Sequence, residues 1–513
     1  MKKRKDIFLA NDLTRIFSAC GVDSAVLADK RHVCYLAGYL TRLGAKSAVV
    51  EYDYIDRDFL EDYVQYYSRC FAECGRNCCR VHFFKKEYTN DTFLSAELGR
   101  DGNAELVDSY LGFIVIRPLS RTFIGRTCLI PYTDDPSRHF SAICHVDVSL
   151  FGQRLSIDCM PFQEQDRAVA ACATCALWSA FHVSSCKFGH ACLTPGKITE
   201  IATQHGISAS RSFPNAGLSL RDVAYAIRGA GLVPVCVGIE SADKILRPSM
   251  ILGNVRAYLG IGIPLIALGV VFDADGKKRS CHALAINGYH LSDSGDVGTD
   301  GLCAKRIDKL YLHDDQLGPY ARATLGASSA DAEMNVSWTD AEGRRNGYDF
   351  GIQYLVIPMY HKIRVDYEQV WRCAFALQRV ASSASHIIGS LSFEWDIMLC
   401  ASNDFKDAVR EDAKLSDADK ITYLELGYPR YIWNVRVKLN GRDGAVFCID
   451  ATDASQGLSV VASIFYQNEL PLIVAMMAKI AESFHRNPLC QACVAAVNGS
   501  SGFENLEVGH VEG

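Results

Sequence analysis

The sequence lacks most of the features that would tie it to a membrane, a nucleic acid or a fibrous assembly. It has only 14 prolines in 513 residues, no low-complexity block and no repeat of 20–50 residues, which excludes disordered, solenoid and collagen-like chains. Neither sign of charge dominates. The 53 basic and 59 acidic side chains leave a formal charge of −6, so no general attraction to nucleic acid or anionic lipid is expected. No apolar run is long enough to cross a membrane. The most apolar, YLGIGIPLIALGVVF from Tyr258 to Phe272, is broken by Pro264 and several glycines and is expected to be a buried strand. The basic opening MKKRK is followed by only Ile7 to Ala10 before Asn11-Asp12, too short for a signal peptide, so a cytoplasmic location is expected.

Cysteine, by contrast, is plentiful. Twenty-one is an odd number, and with no export signal it favours reduced thiols over a disulfide framework. The length implies two to four domains. Residues 1–145 mix helix and strand. In this block the run Asp58–Cys74 would place Leu60, Tyr63, Val64, Tyr67 and Phe71 on one helical face, and YLGFIVIRPL and GRTCLIPY are expected to be buried strands. A middle block, 146–362, opens with the alternating strand RLSIDCMPF and has helices beginning at Cys172, at Thr194-Pro195 and at Ser219. Strands dominate it from Val233 to about Pro358, with residues 327–347 expected as a surface loop. The last block, 363–513, has helices around Tyr367–Val380 and Leu470–Phe484, the strand YIWNVRVKL, and a polar, Gly-rich tail.

Three segments suggest chemistry. In QEQDRAVAACATCALWSAF (163–181) a helix starts at or just before Cys172, and a thiol in a first helical turn is biased towards thiolate by the helix dipole. Taken alone, a cysteine among alanines is usually a small core residue. The segment CHALAINGYH (281–290) carries His282 near the start of a strand that follows a polar turn, where a base is reachable. In KLYLHDDQLGPY (309–320) a strand runs into His313-Asp314-Asp315, placing an acid where it can orient an imidazole.

Together these segments resemble the papain-like cysteine peptidases, and most closely the branch containing the leader peptidases of bacteriocin exporters. The matching positions, over roughly residues 150–360, are Gln165, Cys172 with Leu177, Gly262-Ile263-Pro264, His282-Ala283 with Gly288-Tyr289, and Asp314. Three departures stand out: Ala173 replaces the family's glycine, Asp315 replaces its proline, and Gln165 lies seven rather than six residues before Cys172, which leaves Gln163 open. Cys175 is the alternative nucleophile, but papain has a tryptophan immediately after its nucleophile whereas Trp178 lies three beyond Cys175, and the Leu177 spacing supports Cys172.

The resemblance implies an α+β multidomain protein whose central papain-like domain packs a cysteine-bearing helix on an antiparallel sheet bearing His and Asp. It implies a cysteine peptidase that cleaves a peptide or isopeptide bond through a thioacyl-enzyme. Cys172 is the nucleophile, His282 the base, Asp314 its orienting acid, and Gln165 the oxyanion donor. No cofactor and no metal is required, and the partner is a protein or peptide substrate. The flanking blocks are free to bind a regulatory protein. The alternatives are an acyltransferase of transglutaminase type on the same residues, and an inactive sensor or scaffold. Weaker signals are Cys70, Cys74, Cys78 and Cys79 with His82, the group Cys186, His190 and Cys192, and His485 with Cys490 and Cys493. The first is expected to be a Cys-rich packed face near a helix end, because Gly75 interrupts the helix, and neither of the other two completes a four-ligand metal pattern. Gly260-Ile261-Gly262 lacks the third glycine of a dinucleotide motif, and Asp450 and Asp453 are expected to cap a turn.

Overall fold

The computed structural model describes residues 4–71, 73–99, 104–166, 168–204, 213–214, 217–239, 242–244, 246–273, 275–295, 297–325, 333–339, 345–383, 391–455, 457–480 and 486–499. Helices combine with antiparallel sheets, an α+β architecture. The chain divides into two compact units. The first comprises Met1–Arg247, Gly262–Leu291 and Asp308–Tyr360; the second comprises Pro248–Ile261, Ser292–Ile307 and His361–Gly513. Among the described residues no helix is long and apolar enough to cross a membrane.

The first unit begins with a five-stranded antiparallel sheet in sequential order: β1 (Lys5–Leu9), β2 (Ser47–Tyr54), β3 (Cys78–Phe84), β4 (Tyr110–Ile116) and β5 (Ile124–Leu129). After the short β6 (Arg138–His139), β7 (Cys144–Leu150) and β8 (Gln153–Cys159) form a hairpin. The expected boundary between residues 145 and 146 therefore cuts through β7. The reason is a shared core: Val148, Leu150, Leu155 and Ile157 of the hairpin bury against Phe113, Val115 and Cys128 of the sheet. Separating them would return that apolar surface to water.

The second sheet of this unit contains β9 (Val233–Gly238), β10 (Leu265–Phe272), β11 (Lys278–Leu291), β12 (Ile307–Asp314), β13 (Gly318–Leu325), β14 (Glu333–Thr339) and β15 (Arg345–Met359). Strands β10 to β15 pair in order, and β15 pairs back to β10, so six strands close into a barrel with β9 added to β15. Closure removes the free edges that β10 and β15 would otherwise present. The helix Cys172–Phe188 packs against β11, β10 and β7. It is buried on nearly every side, as its alanine-rich sequence allows. The expected helix starts at Pro195 and Ser219 are both present, the second with the reciprocal Ser219–Asp222 capping box.

Several expectations are corrected. The run Asp58–Cys74 is helical only over Arg57–Gln65, followed by one short turn, and Val64 and Phe71 are exposed. Its buried residues are instead Phe59 and two acids: Asp58 accepts the Trp178 indole N–H at 3.1 Å, and Asp62 accepts the Gly196 backbone N–H at 3.0 Å. Cys70, Cys74 and Cys78 thus share no helix face, and Cys78 begins β3. The run Tyr258–Phe272 is not one strand. Its first residues end the helix Arg247–Gly260, a turn with Gly262 at φ 81° follows, and β10 starts at Leu265. Part of the expected loop 327–347 is strand, because Met334 and Val336 alternate inward along β14. The remainder of that loop, Phe484, His485 and the Gly-rich tail lie outside the described residues.

The second unit carries a four-stranded antiparallel sheet of β16 (Phe393–Ala401), β17 (Tyr431–Leu439), β18 (Arg442–Asp450) and β19 (Val460–Phe465). Phe405 and Val409 of the helix Ser402–Glu411 pack on Ile432, Val446 and Ile464 of this sheet. Arg256 forms a two-pronged pair with Asp396 at 3.0 and 2.9 Å. Asp450 and Asp453 accept backbone N–H groups two residues on, as turn caps do.

Candidate active site

The helix Cys172–Phe188 starts after Ala171, whose side chain makes no capping hydrogen bond, and the positive end of its dipole lies at Cys172. Cys172 is partly accessible and hydrogen bonds His282. Cys175, one turn on, is fully buried, and burial together with the Asp315 and Asp166 charges pushes its thiol well above the usual range. A buried, protonated thiol is a poor nucleophile.

His282 lies within β11 rather than at its first residue, opposite Gly269 of β10. A Cβ at Gly269 would run into the Gly351 carbonyl oxygen and the Phe350 ring, so only glycine lets β15 approach so closely behind the histidine. The imidazole Nε2 lies 2.9 Å from Oδ1 of Asp314, at the end of β12. That leaves Nδ1 for the thiol, with the Gln316 side-chain amide 3.4 Å from it. Burial opposes charge on His282. The Asp315 charge and the hydrogen bonds to Asp314 and Cys172 outweigh it and raise its pKa well above the ordinary value.

Asp314 is buried as well. Burial alone would raise its pKa, but His282, the Tyr348 hydroxyl at 2.7 Å and the Gln316 backbone N–H at 3.0 Å hold it below the usual carboxylate value. Asp315 behaves differently. Burial and the neighbouring Asp314 charge outweigh the attraction of His282 and raise its carboxyl to about 7. His282, Asp314 and Asp315 together are a donor set able to hold a metal ion, with one ligand atom from each lying within 4.8 Å of the others. The sequence offers only cysteine and histidine groups as metal candidates, and these three residues are not among them.

The chain between Gln165 and Cys172 folds back through Asp166. One carboxylate oxygen accepts from the backbone N–H groups of Ala168, Val169 and Ala170 at 2.8–2.9 Å, and the other accepts from the Tyr67 hydroxyl at 2.8 Å. This turn brings Gln165 to a cavity of about 690 Å3, which it lines with Arg31, Arg121, Asp315 and Gln316. A neighbouring cavity of about 670 Å3 is lined by His282 with Arg31, Gln316 and Tyr348. Gln163 is 3% exposed, and its amide nitrogen has no hydrogen-bond partner among the described residues. Both glutamines are thus near the helix start, one facing a cavity and one enclosed.

The other histidines are held elsewhere. His313 is buried between the Met160 carbonyl at 2.9 Å and the Tyr320 backbone N–H at 3.1 Å, and burial lowers its pKa to about 4. His290 pairs with Asp308 and Asp135. Sequence reasoning missed Asp166, Tyr348 and Gln316. It also missed a second thiol cluster, in which Cys192 meets not Cys186 or His190 but His182. Burial opposes charge on His182, but Asp58 and Cys192 raise its pKa to about 9, and His182 lowers the Cys192 thiol in return. Only the dipeptide Asp314-Asp315 gave a local signal.

Neither a scan against protein-family models nor a search of the curated proteins finds a match for this chain.

Proposed function

We propose that the protein is a papain-like cysteine peptidase acting through Cys172, His282 and Asp314. The observation that carries this reading is the continuous chain of contacts from an accessible thiol at an uncapped helix start, through a buried imidazole, to a carboxylate fixed by two further donors. Nδ1 of His282 takes the Cys172 proton, and the thiolate attacks the carbonyl carbon of the scissile bond. Asp314 keeps the imidazole in the tautomer with Nε2 protonated and stabilises its cation. The Cys172 backbone N–H and the Gln165 side chain stabilise the tetrahedral oxyanion. His282 then returns the proton to the leaving amine, and water hydrolyses the thioacyl-enzyme. No step needs a cofactor. The two cavities that meet at Arg31 and Gln316 provide a cleft for an extended protein or peptide segment.

Mass spectrometry of new protein N-termini in cells expressing the wild type or Cys172→Ala tests the reading. New termini with the wild type alone are expected. Cross-linked or amine-modified glutamines in their place would make the enzyme an acyltransferase. No difference between the two would make the domain a non-catalytic sensor or scaffold.

A further inference from the structure

Asp315 is 3% exposed, and neither of its carboxylate oxygens has a hydrogen-bond partner among the described residues. Its backbone carbonyl is held by His32 Nε2 at 2.9 Å, but its side chain points to His282, with Oδ1 3.8 Å from Nε2. The same Nε2 lies 2.9 Å from Asp314, and the three donor atoms fall within 4.8 Å of one another. Two carboxylates and one imidazole buried together carry at most one positive charge against two negative ones. A buried carboxylate without compensation is strongly disfavoured, so a proton or a cation has to make up the balance. Two carboxylate oxygens and an imidazole nitrogen are a donor set that divalent manganese, iron and zinc accept. The cluster is also reachable, since His282 lines one cavity and Asp315 the other.

We propose that His282 Nε2, Asp314 and Asp315 form a binding site for a divalent first-row metal ion, and that its occupancy switches Cys172 off. The metal occupies the Nε2 lone pair, so a neutral imidazole must carry its proton on Nδ1, the nitrogen left for the thiol. An Nδ1–H group cannot accept a proton, and Cys172 stays a thiol. The binding site stands without the peptidase reading; the switch rests on it.

The test uses Mn2+ as the probe, because it binds thiolates poorly and the 21 cysteines will not obscure the result. Binding to the full-length reduced protein is followed by the electron paramagnetic resonance of free Mn2+. One saturable site is expected in the wild type and in Cys172→Ala, with affinity at least about tenfold weaker in Asp315→Asn and in His282→Ala. In parallel, saturating Mn2+ should slow iodoacetamide alkylation of Cys172 in the wild type and leave the rate in Asp315→Asn nearly unchanged. No saturable binding at millimolar Mn2+, or equal binding by wild type and Asp315→Asn, overturns the site and identifies a proton as the balancing charge. Loss of binding in Cys172→Ala overturns it too, since the thiol would then be the ligand. Binding that leaves Cys172 alkylation unchanged overturns the switch. Failure of the peptidase reading is seen separately, as unselective alkylation of Cys172 before any metal is added.

Discussion

The Tyr348 hydroxyl donates a 2.7 Å hydrogen bond to Oδ2 of Asp314, the carboxylate whose Oδ1 lies 2.9 Å from His282. Strand β15 thus holds the acid of β12 from behind. Tyr348→Phe removes one hydrogen bond to a buried charge, a loss of about 1.5–3 kcal/mol that is divided between stability and the orientation of Asp314. The variant is expected to fold and to turn over roughly tenfold more slowly, with KM little changed. Steady-state kinetics on a peptide substrate check the split.

Cys172 is expected to be the first thiol alkylated by limiting iodoacetamide at neutral pH, with Cys192 second because His182 favours its thiolate. Peptide mapping distinguishes them. His282→Ala should suppress labelling of Cys172 and spare Cys192. Preferential labelling of Cys175 would move the nucleophile by one helical turn.

The three histidines near the barrel should separate by phenotype. His282→Ala abolishes turnover with the fold intact, and His290→Ala is close to wild type. His313→Ala strands the Met160 carbonyl and the Tyr320 N–H in the interior, so it should cost about 1–3 kcal/mol of stability in denaturant unfolding. The fraction that remains folded should keep most of its activity.

Gln165→Ala should lower kcat by about a hundredfold, or roughly 3 kcal/mol, with a smaller effect on binding, because an oxyanion donor acts mainly in the transition state. If Gln163→Ala shows this defect instead, its enclosed amide nitrogen is the donor. Asp166→Ala should mimic whichever glutamine matters, since it releases the turn that positions both.

Asp315 sets a pH dependence. Its folded pKa of about 7 lies above the ordinary carboxyl value of 3.8, so the folded state binds the extra proton and is favoured at low pH. That stability is lost as pH rises towards 7. In metal-free buffer Asp315→Asn should therefore raise the melting temperature at pH 8 and change it little at pH 4. Differential scanning calorimetry at the two values is the check, and a lower melting temperature at pH 8 would contradict the buried, unpaired carboxylate.

The start of the Cys172 helix and the strands bearing His282 and Asp314 were legible because each follows a local rule: an apolar run opened at Ala171-Cys172, and alternating or continuous apolar stretches ended by polar turns. The inward placement of Asp58 and Asp62 on Arg57–Gln65 was not legible, because their partners, Arg126, Trp178 and Gly196, are all distant in sequence. Barrel closure was hidden for the same reason, since the β10–β15 pairing joins strands with no local signature of contact. Asp166 read as an ordinary polar residue. Its role depends on the three N–H groups that the following turn presents to it.

The back of the acid loop is built by residues far upstream. His32 holds the Asp315 carbonyl, the Tyr35 hydroxyl donates to the Pro319 carbonyl at 2.6 Å, and the Tyr35 ring fills the space that a side chain at Gly318 would need. Any fragment meant to keep this loop supported must therefore include the amino-terminal helix Arg31–Arg42. Residues 146–362 expressed alone would lack the floor of their own acid loop, and dissecting this protein by truncation would discard a working part while appearing to remove only an appendage.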